Sequence, residues 1–217
     1  TWPLLGAGGG FPFEVKADGR YDAAKTGVNN AGSQAGVNAL MTLINSGAMA
    51  KGAGYAEMEA GFNQGKIAMM INGPWSWDNA RKSKINYGVA TIPTVAGKTA
   101  TPFVGVLGAM ISKASPNKDL ATEFLENQML QLNGLKTINA DVPLGTPANK
   151  VLFAELKANP NIQATMESAQ AGRPMPNNPE MGRFWSSMQS ALENITQGRQ
   201  STKEGLDAAA KRITTAN

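Results

Sequence analysis

Apolar residues recur at helical spacing between Asn30 and Gly47, at intervals of three and four. This pattern predicts an amphipathic helix that Asn30 caps and Gly47 ends. A shorter helix is predicted over 55–65, again ending at a glycine, and several helices follow after residue 147. Periodicity therefore predicts that helices make up much of the second half of the chain.

Two helices carry specific signals at their first residues. Ser115 is followed by Pro116, which suits the first position of a helix, and apolar residues then recur at 120, 124 and 125. Ser201 is followed three residues later by Glu204, which is the arrangement of a capping box. We expect helices to begin beside Ser115 and Ser201.

Uninterrupted apolar runs of strand length predict three strands, in 66–71, 85–93 and 101–112. The last of these contains two glycines, which often mark a bend inside a strand. An Asp-Gly pair at 18–19, between two short apolar and aromatic runs, predicts a hairpin. Strands that lie early and centrally and alternate with helices favour an α/β fold.

The composition excludes several kinds of chemistry. The 217 residues include no cysteine and no histidine, so disulfides, zinc–thiolate sites and a histidine base cannot arise within this chain. The net charge is +4, but the basic residues are scattered, whereas a nucleic-acid-binding protein concentrates them on one surface. No apolar run reaches the roughly 20 residues of a membrane-spanning helix. The first residue is not methionine, so we expect a processed protein or a piece of a longer one.

The aromatic residues lie at the ends of predicted elements rather than inside them, at Trp2, Tyr55, Trp75, Trp77 and Trp185. Side chains in such positions can line a cleft, and flat rings suit sugars, which present apolar C–H faces. Ordinary packing at the rim of the core is the alternative, and the sequence leaves both open. Met175 lies between two prolines in a rigid loop, where it is placed to face a ligand.

A glycosidase would require two facing carboxylates at a defined separation. Glu57, Glu59 and Asp78 lie near the aromatic positions, but nothing in the sequence pairs them. Hydrolysis of a glycosidic bond therefore remains a less favoured alternative to binding without catalysis.

Several motifs occur in the order and approximate spacing of the periplasmic maltose/maltodextrin-binding proteins, among them "GFNQGKIAMMINGPWSW", "PFVGVL", "SPNKDLATEFLEN" and "MPNNPEM". The chain resembles this family, the solute-binding component of ABC importers, over essentially its whole length. The resemblance implies a two-lobed α/β fold of the periplasmic-binding-protein type that closes over a linear glucan. It further implies a periplasmic location, membrane subunits of an importer as partners, no cofactor and no catalysis.

The resemblance also implies a division of the chain. Residues 1–103 would form the core of the C-terminal lobe, 104–108 a hinge strand, 109–154 a segment of the N-terminal lobe, and 155–217 the hinge return with further C-terminal-lobe helices. Family members begin about 155 residues earlier, a length typical of a domain. A missing N-terminal segment of the same protein is therefore an expected partner.

By resemblance, Tyr55, Trp75 and Trp185 match positions whose rings stack on glucose units, and Met175 lies near the same pocket. Trp2 and Trp77 match residues close to the cleft. Ser186 and Gln189 depart from the tyrosine and arginine frequent in the family, which leaves the preferred glucan length open. Two alternatives remain, namely a protein of this fold for another oligosaccharide and a fragment competent only with its missing half.

Overall fold

The computed structural model describes residues 1–215 and is rich in helix. Its α-helices, numbered in chain order, are α1 Trp2–Ala7, α2 Ala31–Asn45, α3 Tyr55–Asn63, α4 Trp77–Lys82, α5 Lys118–Phe124, α6 Leu132–Asp141, α7 Lys150–Leu156, α8 Pro160–Ala171, α9 Met181–Thr196 and α10 Thr202–Thr214. A 3₁₀-helix, Pro74–Ser76, precedes α4, and a π-helical turn, Leu125–Met129, follows α5. No helix among the described residues combines the length and the apolar character needed to cross a membrane.

The strands are short and form two small sheets. β1, Glu14–Val15, pairs antiparallel with β2, Tyr21–Asp22, and the predicted hairpin is confirmed, with Gly19 at φ +80° in its turn. β3, Phe103–Val104, pairs parallel with β4, Arg173–Pro174. Within residues 1–215, each of these sheets contains two strands.

The predicted strands over 66–71 and 85–93 are wrong, and of 101–112 only β3 is paired. A run of apolar residues has strand propensity, but a strand exists only where a neighbouring segment accepts and donates its backbone hydrogen bonds. Among the described residues no segment pairs with 66–71 or 85–93. The fold is thus a helix-rich mixture of helices and small sheets.

Of the three helix starts predicted from capping residues, two are confirmed and one is wrong. The side chain of Asn30 accepts a hydrogen bond from the Ser33 amide over 2.8 Å, and the capping box at Ser201 is complete, so both predictions are confirmed. The predicted start at Ser115 is wrong, because α5 begins at Lys118. Instead, the Ser115 hydroxyl accepts a hydrogen bond from the backbone amide of Asn117, in a local turn that precedes the helix.

The chain divides into two compact units. Unit 1 comprises Thr1–Gly54, Ile92–Val104 and the chain from Ser168 onward, and unit 2 comprises Tyr55–Thr91 and Gly105–Glu167. The two units differ in how completely their apolar side chains are buried.

Unit 1 has a continuous core. Its fully buried members include Leu5 of α1, Val37 of α2, Phe184 of α9 and Leu206 of α10. Helices α1 and α2 approach backbone to backbone, since a Cβ placed on Gly32 would lie 1.7 Å from the carbonyl oxygen of Gly8. Each fully buried large apolar side chain contributes about 1.5–3 kcal/mol. This core therefore supplies most of the stability of unit 1.

Unit 2 is held by fewer buried contacts. Its buried apolar side chains are Ala80, Leu152, Ile162 and Ala164. The α6 and α7 helices are joined by a salt bridge of 2.6 Å between Lys136 and Glu155, which lies at the surface and contributes little.

Candidate functional site

Four aromatic rings form a cluster in unit 1, called here the aromatic cluster, which consists of Trp2, Phe103, Phe184 and Trp185. Trp2 and Phe103 stack face to face, with ring centroids 4.6 Å apart and planes 7° apart. Trp185 meets Phe103 and Phe184 edge to face, at centroid distances of 5.7 and 5.0 Å. Edge-to-face and offset-stacked contacts are the arrangements that aromatic quadrupoles favour. The cluster therefore holds Trp185 in a defined orientation.

Near its N-terminus, α9 places two consecutive rings in opposite environments. Phe184 is 1 % exposed and belongs to the core, whereas Trp185 is 47 % exposed. Consecutive helix residues point about 100° apart, so burying Phe184 turns Trp185 toward the surface. Phe184 thereby anchors the helix, while about half of the Trp185 side chain remains exposed.

Met175 follows the strand that pairs with β3. Its amide donates to the carbonyl oxygen of Val104 over 3.0 Å, which continues the β3–β4 pairing by one residue. The side chain of Met175 is 42 % exposed. The short parallel sheet thus brings this methionine next to the strand that carries Phe103.

Tyr55 and Trp75 form a second group in unit 2, called here the aromatic pair. The indole Nε1 of Trp75 donates to the hydroxyl of Tyr55 over 3.1 Å, and the amide nitrogen of Asn72 donates to the same hydroxyl over 3.3 Å. Both rings are more than half exposed. Their polar edges are therefore engaged with each other, while more than half of each side chain remains accessible to solvent.

The turn before Trp75 depends on a glycine and a proline. A Cβ on Gly73 would lie 2.3 Å from the indole ring atoms, so the ring folds over this residue only because it has no side chain. Pro74 occupies the first turn of the 3₁₀-helix, where its missing N–H costs nothing. The buried Ser76 hydroxyl donates to the carbonyl oxygen of Gly73 over 2.8 Å. The local sequence Gly-Pro-Trp-Ser thus determines the direction of the indole.

Trp77 lines a different feature, a cavity of about 220 Å³ in unit 2. The same walls are lined by Arg81, Tyr87, Asn139 and Asn159. Burial raises the pKa of Tyr87 above its ordinary value, and the protonated hydroxyl can donate a hydrogen bond. Trp77 is thus separated from the aromatic pair even though only one residue lies between it and Trp75.

Two of the carboxylates considered for catalysis, Glu59 and Asp78, have polar partners on neighbouring residues. Glu59 accepts a hydrogen bond from Asn79 across α3 and α4, at 3.3 Å. Asp78 bridges to Lys82 and Arg81, and these two cations, Lys82 first, lower the pKa of its carboxyl. Among residues 1–215, no three acidic, histidine or cysteine side chains are grouped to hold a metal ion.

The predicted site residues therefore fall into distinct places. Trp2 and Trp185 both belong to the aromatic cluster of unit 1. Met175 lies at the end of the β3–β4 sheet, also in unit 1. Tyr55 and Trp75 contact each other in unit 2. Sequence reasoning missed Phe103, Phe184 and Asn72, which order these rings. Phe103 lay inside the quoted motif "PFVGVL" and Phe184 next to Trp185, but no periodicity distinguishes a ring that supports another ring from an ordinary core residue.

The sequence has relatives among proteins that carry solutes. Residues 1–128 match the family described as bacterial extracellular solute-binding proteins. The galactooligosaccharide-binding protein of Bacillus subtilis is 30% identical over 211 residues, which is 94% of this chain and 49% of that protein. The maltodextrin-binding protein MdxE of the same organism is 33% identical over 151 residues, 68% of this chain and 36% of that protein.

A third relative is a maltooligosaccharide ABC transporter solute-binding lipoprotein of Streptococcus pneumoniae, 28% identical over 216 residues, covering 96% of this chain and half of that protein. The chain spans about half the length of the curated relatives that it matches along its whole sequence. The chain belongs to the bacterial extracellular solute-binding proteins. The relatives named here are oligosaccharide-binding proteins rather than enzymes.

Proposed function

We propose that this chain is part of the solute-binding component of an ABC importer that takes up maltose and linear maltodextrins. Each glucose unit would place its apolar C–H face against an exposed ring, namely Trp185, Tyr55 or Trp75. Trp2, Met175 and Trp77 would lie nearby. The observation that carries this proposal is that exposed rings are held in defined orientations by other aromatic or amide groups.

An ordered ring is better suited to binding than a mobile one, because less conformational freedom is lost when the sugar stacks on it. By analogy with bases that stack on aromatic side chains, each ring would contribute about 1–3 kcal/mol. The sugar hydroxyls would need polar partners as well, since an unpaired polar group in a closed site is costly. The amide of Asn72 is one such group in the aromatic pair.

The wider biology follows as part of the same proposal. The complete protein would be a two-lobed periplasmic protein that closes over its ligand and delivers it to the membrane subunits of the importer without catalysis. Its partners would include the remaining N-terminal segment of the same protein. The four-part division of the chain, with a hinge strand at 104–108, also remains a prediction.

A galactooligosaccharide is the second candidate ligand. The Bacillus relative with that name matches 94% of this chain. Downstream of Trp185 on α9, the Ser186 hydroxyl donates to backbone carbonyls of its own helix at 3.2 Å, and the amide of Gln189 donates to Glu193 at 3.0 Å. These short or internally bonded side chains add no ring beyond Trp185, so discrimination between oligosaccharides would depend on few contacts.

Titration calorimetry of the full-length protein with maltotriose and with a galactosyl trisaccharide tests the proposal. We expect saturable binding of maltotriose and a change in tryptophan fluorescence. Tighter binding of the galactosyl sugar would favour the second candidate. Absence of binding to either sugar at millimolar concentration would contradict both.

A further inference from the structure

A groove in unit 1 lies where the beginning of α9 meets the end of α10, and it is called here the basic groove. Its volume is about 410 Å³, which is within the range of roughly 300–1,000 Å³ typical of small-molecule sites. Three of its lining residues carry a positive charge and none carries a negative one. The groove is lined by Arg183, Ser186, Ser187, Lys211, Arg212 and Thr215.

The two helices that bear the basic groove are fixed against each other by the core of unit 1. Phe184 and Met188 of α9 and Ala209 and Ile213 of α10 belong to the same buried cluster. The walls of the groove are therefore helical and packed, rather than loops. Side chains on such elements are held more precisely than those on loops.

Two arginines connect the helices across the groove. The Nη1 of Arg183 donates to the carbonyl oxygen of Thr215 over 2.6 Å, and the Nη2 of Arg212 donates to the carbonyl oxygen of Ser187 over 3.3 Å. Each of these bonds uses one of the five N–H donors of a guanidinium group. A carbonyl oxygen is neutral, so both groups are oriented while their charge is not compensated.

No carboxylate in the described part of the chain forms an ion pair with Arg183, Lys211 or Arg212. Glu180 precedes Arg183 by three residues, but its carboxylate accepts a hydrogen bond from the amide of Asn178 over 2.8 Å. That bond is the main cause that lowers the pKa of this carboxyl, ahead of the charge of Arg183. The groove thus collects positive charge that the described residues leave unpaired.

The helix dipoles explain only part of this charge. Lys211 and Arg212 lie in the last turn of α10, where cations are favourable. Arg183 is the third residue of α9, where the dipole of the helix disfavours a cation and favours an anion. Its place at the start of α9 is therefore better explained by an anionic ligand than by the helix that carries it.

We propose that the basic groove binds a small oxyanion with two or more negative charges, a polycarboxylate or a phosphate, through Arg183, Lys211 and Arg212. Guanidinium groups match the paired oxygens of both kinds of anion, and an ammonium adds a further charged donor. A neutral sugar needs acceptors as well as donors, so these cations favour a ligand that only accepts. None of the aromatic residues assigned to sugar binding lines the groove. The oxyanion is thus a second ligand, distinct from the proposed solute.

Titration calorimetry of the full-length protein, without sugar and at constant ionic strength, tests the proposal. Citrate and inorganic phosphate are the two probes, and sodium chloride is the reference for general screening of charge. We expect saturable binding of one anion per protein for at least one probe, and none for chloride. The stronger of the two probes identifies the ligand as a carboxylate or a phosphate. Affinity should fall as the ionic strength is raised.

Three variants, each of which removes one positive charge, locate the site. Arg183→Gln and Lys211→Gln should each weaken binding at least about tenfold, as expected for the loss of a charge-assisted hydrogen bond. Within residues 1–215 the Lys211 ammonium makes no hydrogen bond, so Lys211→Gln leaves the bonds between α9 and α10 intact. Arg199→Gln is the matched control, since Arg199 is an exposed cation of unit 1 outside the groove. It should bind like wild type.

Three outcomes would overturn the proposal. The first is no saturable binding of citrate or phosphate. The second is wild-type affinity in both Arg183→Gln and Lys211→Gln. The third is an equal loss in Arg199→Gln, because the anion would then respond to overall charge rather than to the groove. A protein that binds an oxyanion as expected but no maltotriose would contradict the proposed function alone.

Discussion

The indole nitrogen of Trp75 donates a hydrogen bond to the hydroxyl of Tyr55 over 3.1 Å, while more than half of each side chain remains exposed. Two amphipathic rings are thus joined through their polar edges. Such ordering before a ligand arrives lowers the entropy lost on binding. The consequences can be measured residue by residue in the full-length protein.

Replacing Tyr55 by phenylalanine keeps the ring but removes the acceptor for Trp75. We expect maltotriose affinity to fall roughly 3- to 10-fold, since a hydrogen bond of this kind contributes about 0.5–1.5 kcal/mol. Titration calorimetry measures the change. Tyr21→Phe is the matched control, because the structure gives its hydroxyl no hydrogen-bond partner among the described residues, and it should leave affinity unchanged. Equal affinities for wild type and the Tyr55 variant would show that the bond does not order the binding rings.

Trp185 and Phe184 are neighbours with opposite exposure, so their alanine variants should separate binding from stability. Trp185→Ala should weaken binding at least about tenfold, the equivalent of one stacked ring, with a small loss of stability. Phe184→Ala should reduce the free energy of unfolding by about 3–5 kcal/mol, because it opens a cavity in the core. Urea unfolding and calorimetry measure the two quantities. The interpretation fails if Trp185→Ala binds sugar as well as wild type.

Gly73→Ala should displace the indole of Trp75, because the added Cβ would lie 2.3 Å from its ring atoms. We expect a shifted tryptophan emission spectrum and weaker binding of maltotriose. Gly88→Ala adds the same methyl group in unit 2, where no atom lies within 4 Å, and should change neither property. An unchanged spectrum for Gly73→Ala would mean that the ring does not depend on this glycine.

The capping box of α10 predicts a pH dependence of stability. Its Ser201 hydroxyl and amide lower the pKa of the Glu204 carboxyl below its usual value of 4.5. The charged form is thus favoured by folding, so this contribution is complete above pH 4.5 and is lost as the pH falls through the lower pKa of the folded state. Stability measured by urea unfolding should therefore decline below pH 4.5.

Ser201→Ala should lower the free energy of unfolding by about 0.5–2 kcal/mol at neutral pH, since it removes an N-cap. It should also flatten the decline in stability below pH 4.5. Ser190→Ala, at an exposed position inside α9, is the control and should alter neither quantity. If the stability of Ser201→Ala fell below pH 4.5 as steeply as that of wild type, carboxylates other than Glu204 would be responsible for the decline.

Local sequence was sufficient where a few adjacent residues determine the structure. Asn30 and Ser201 cap α2 and α10 as predicted, because an N-cap needs only the side chain and the amides of the next turn. The start of α3 at Tyr55 was also predicted. The helix start predicted at Ser115 was wrong because the sequence Ser-Pro-Asn can form a turn as well as begin a helix.

Tertiary structure decided which residues meet. The stacking of Trp2 on Phe103 joins rings that are a hundred positions apart, and no local pattern encodes that contact. Trp75 and Trp77 diverge toward an exposed pair and a cavity because the backbone passes from a 3₁₀-helix into α4 between them. Apolar runs at 66–71 and 105–111 have strand propensity by themselves, but pairing requires a partner. By itself, then, the sequence determined the capped helices and the family motifs, whereas ring contacts and strand pairing depend on groups that only folding brings together.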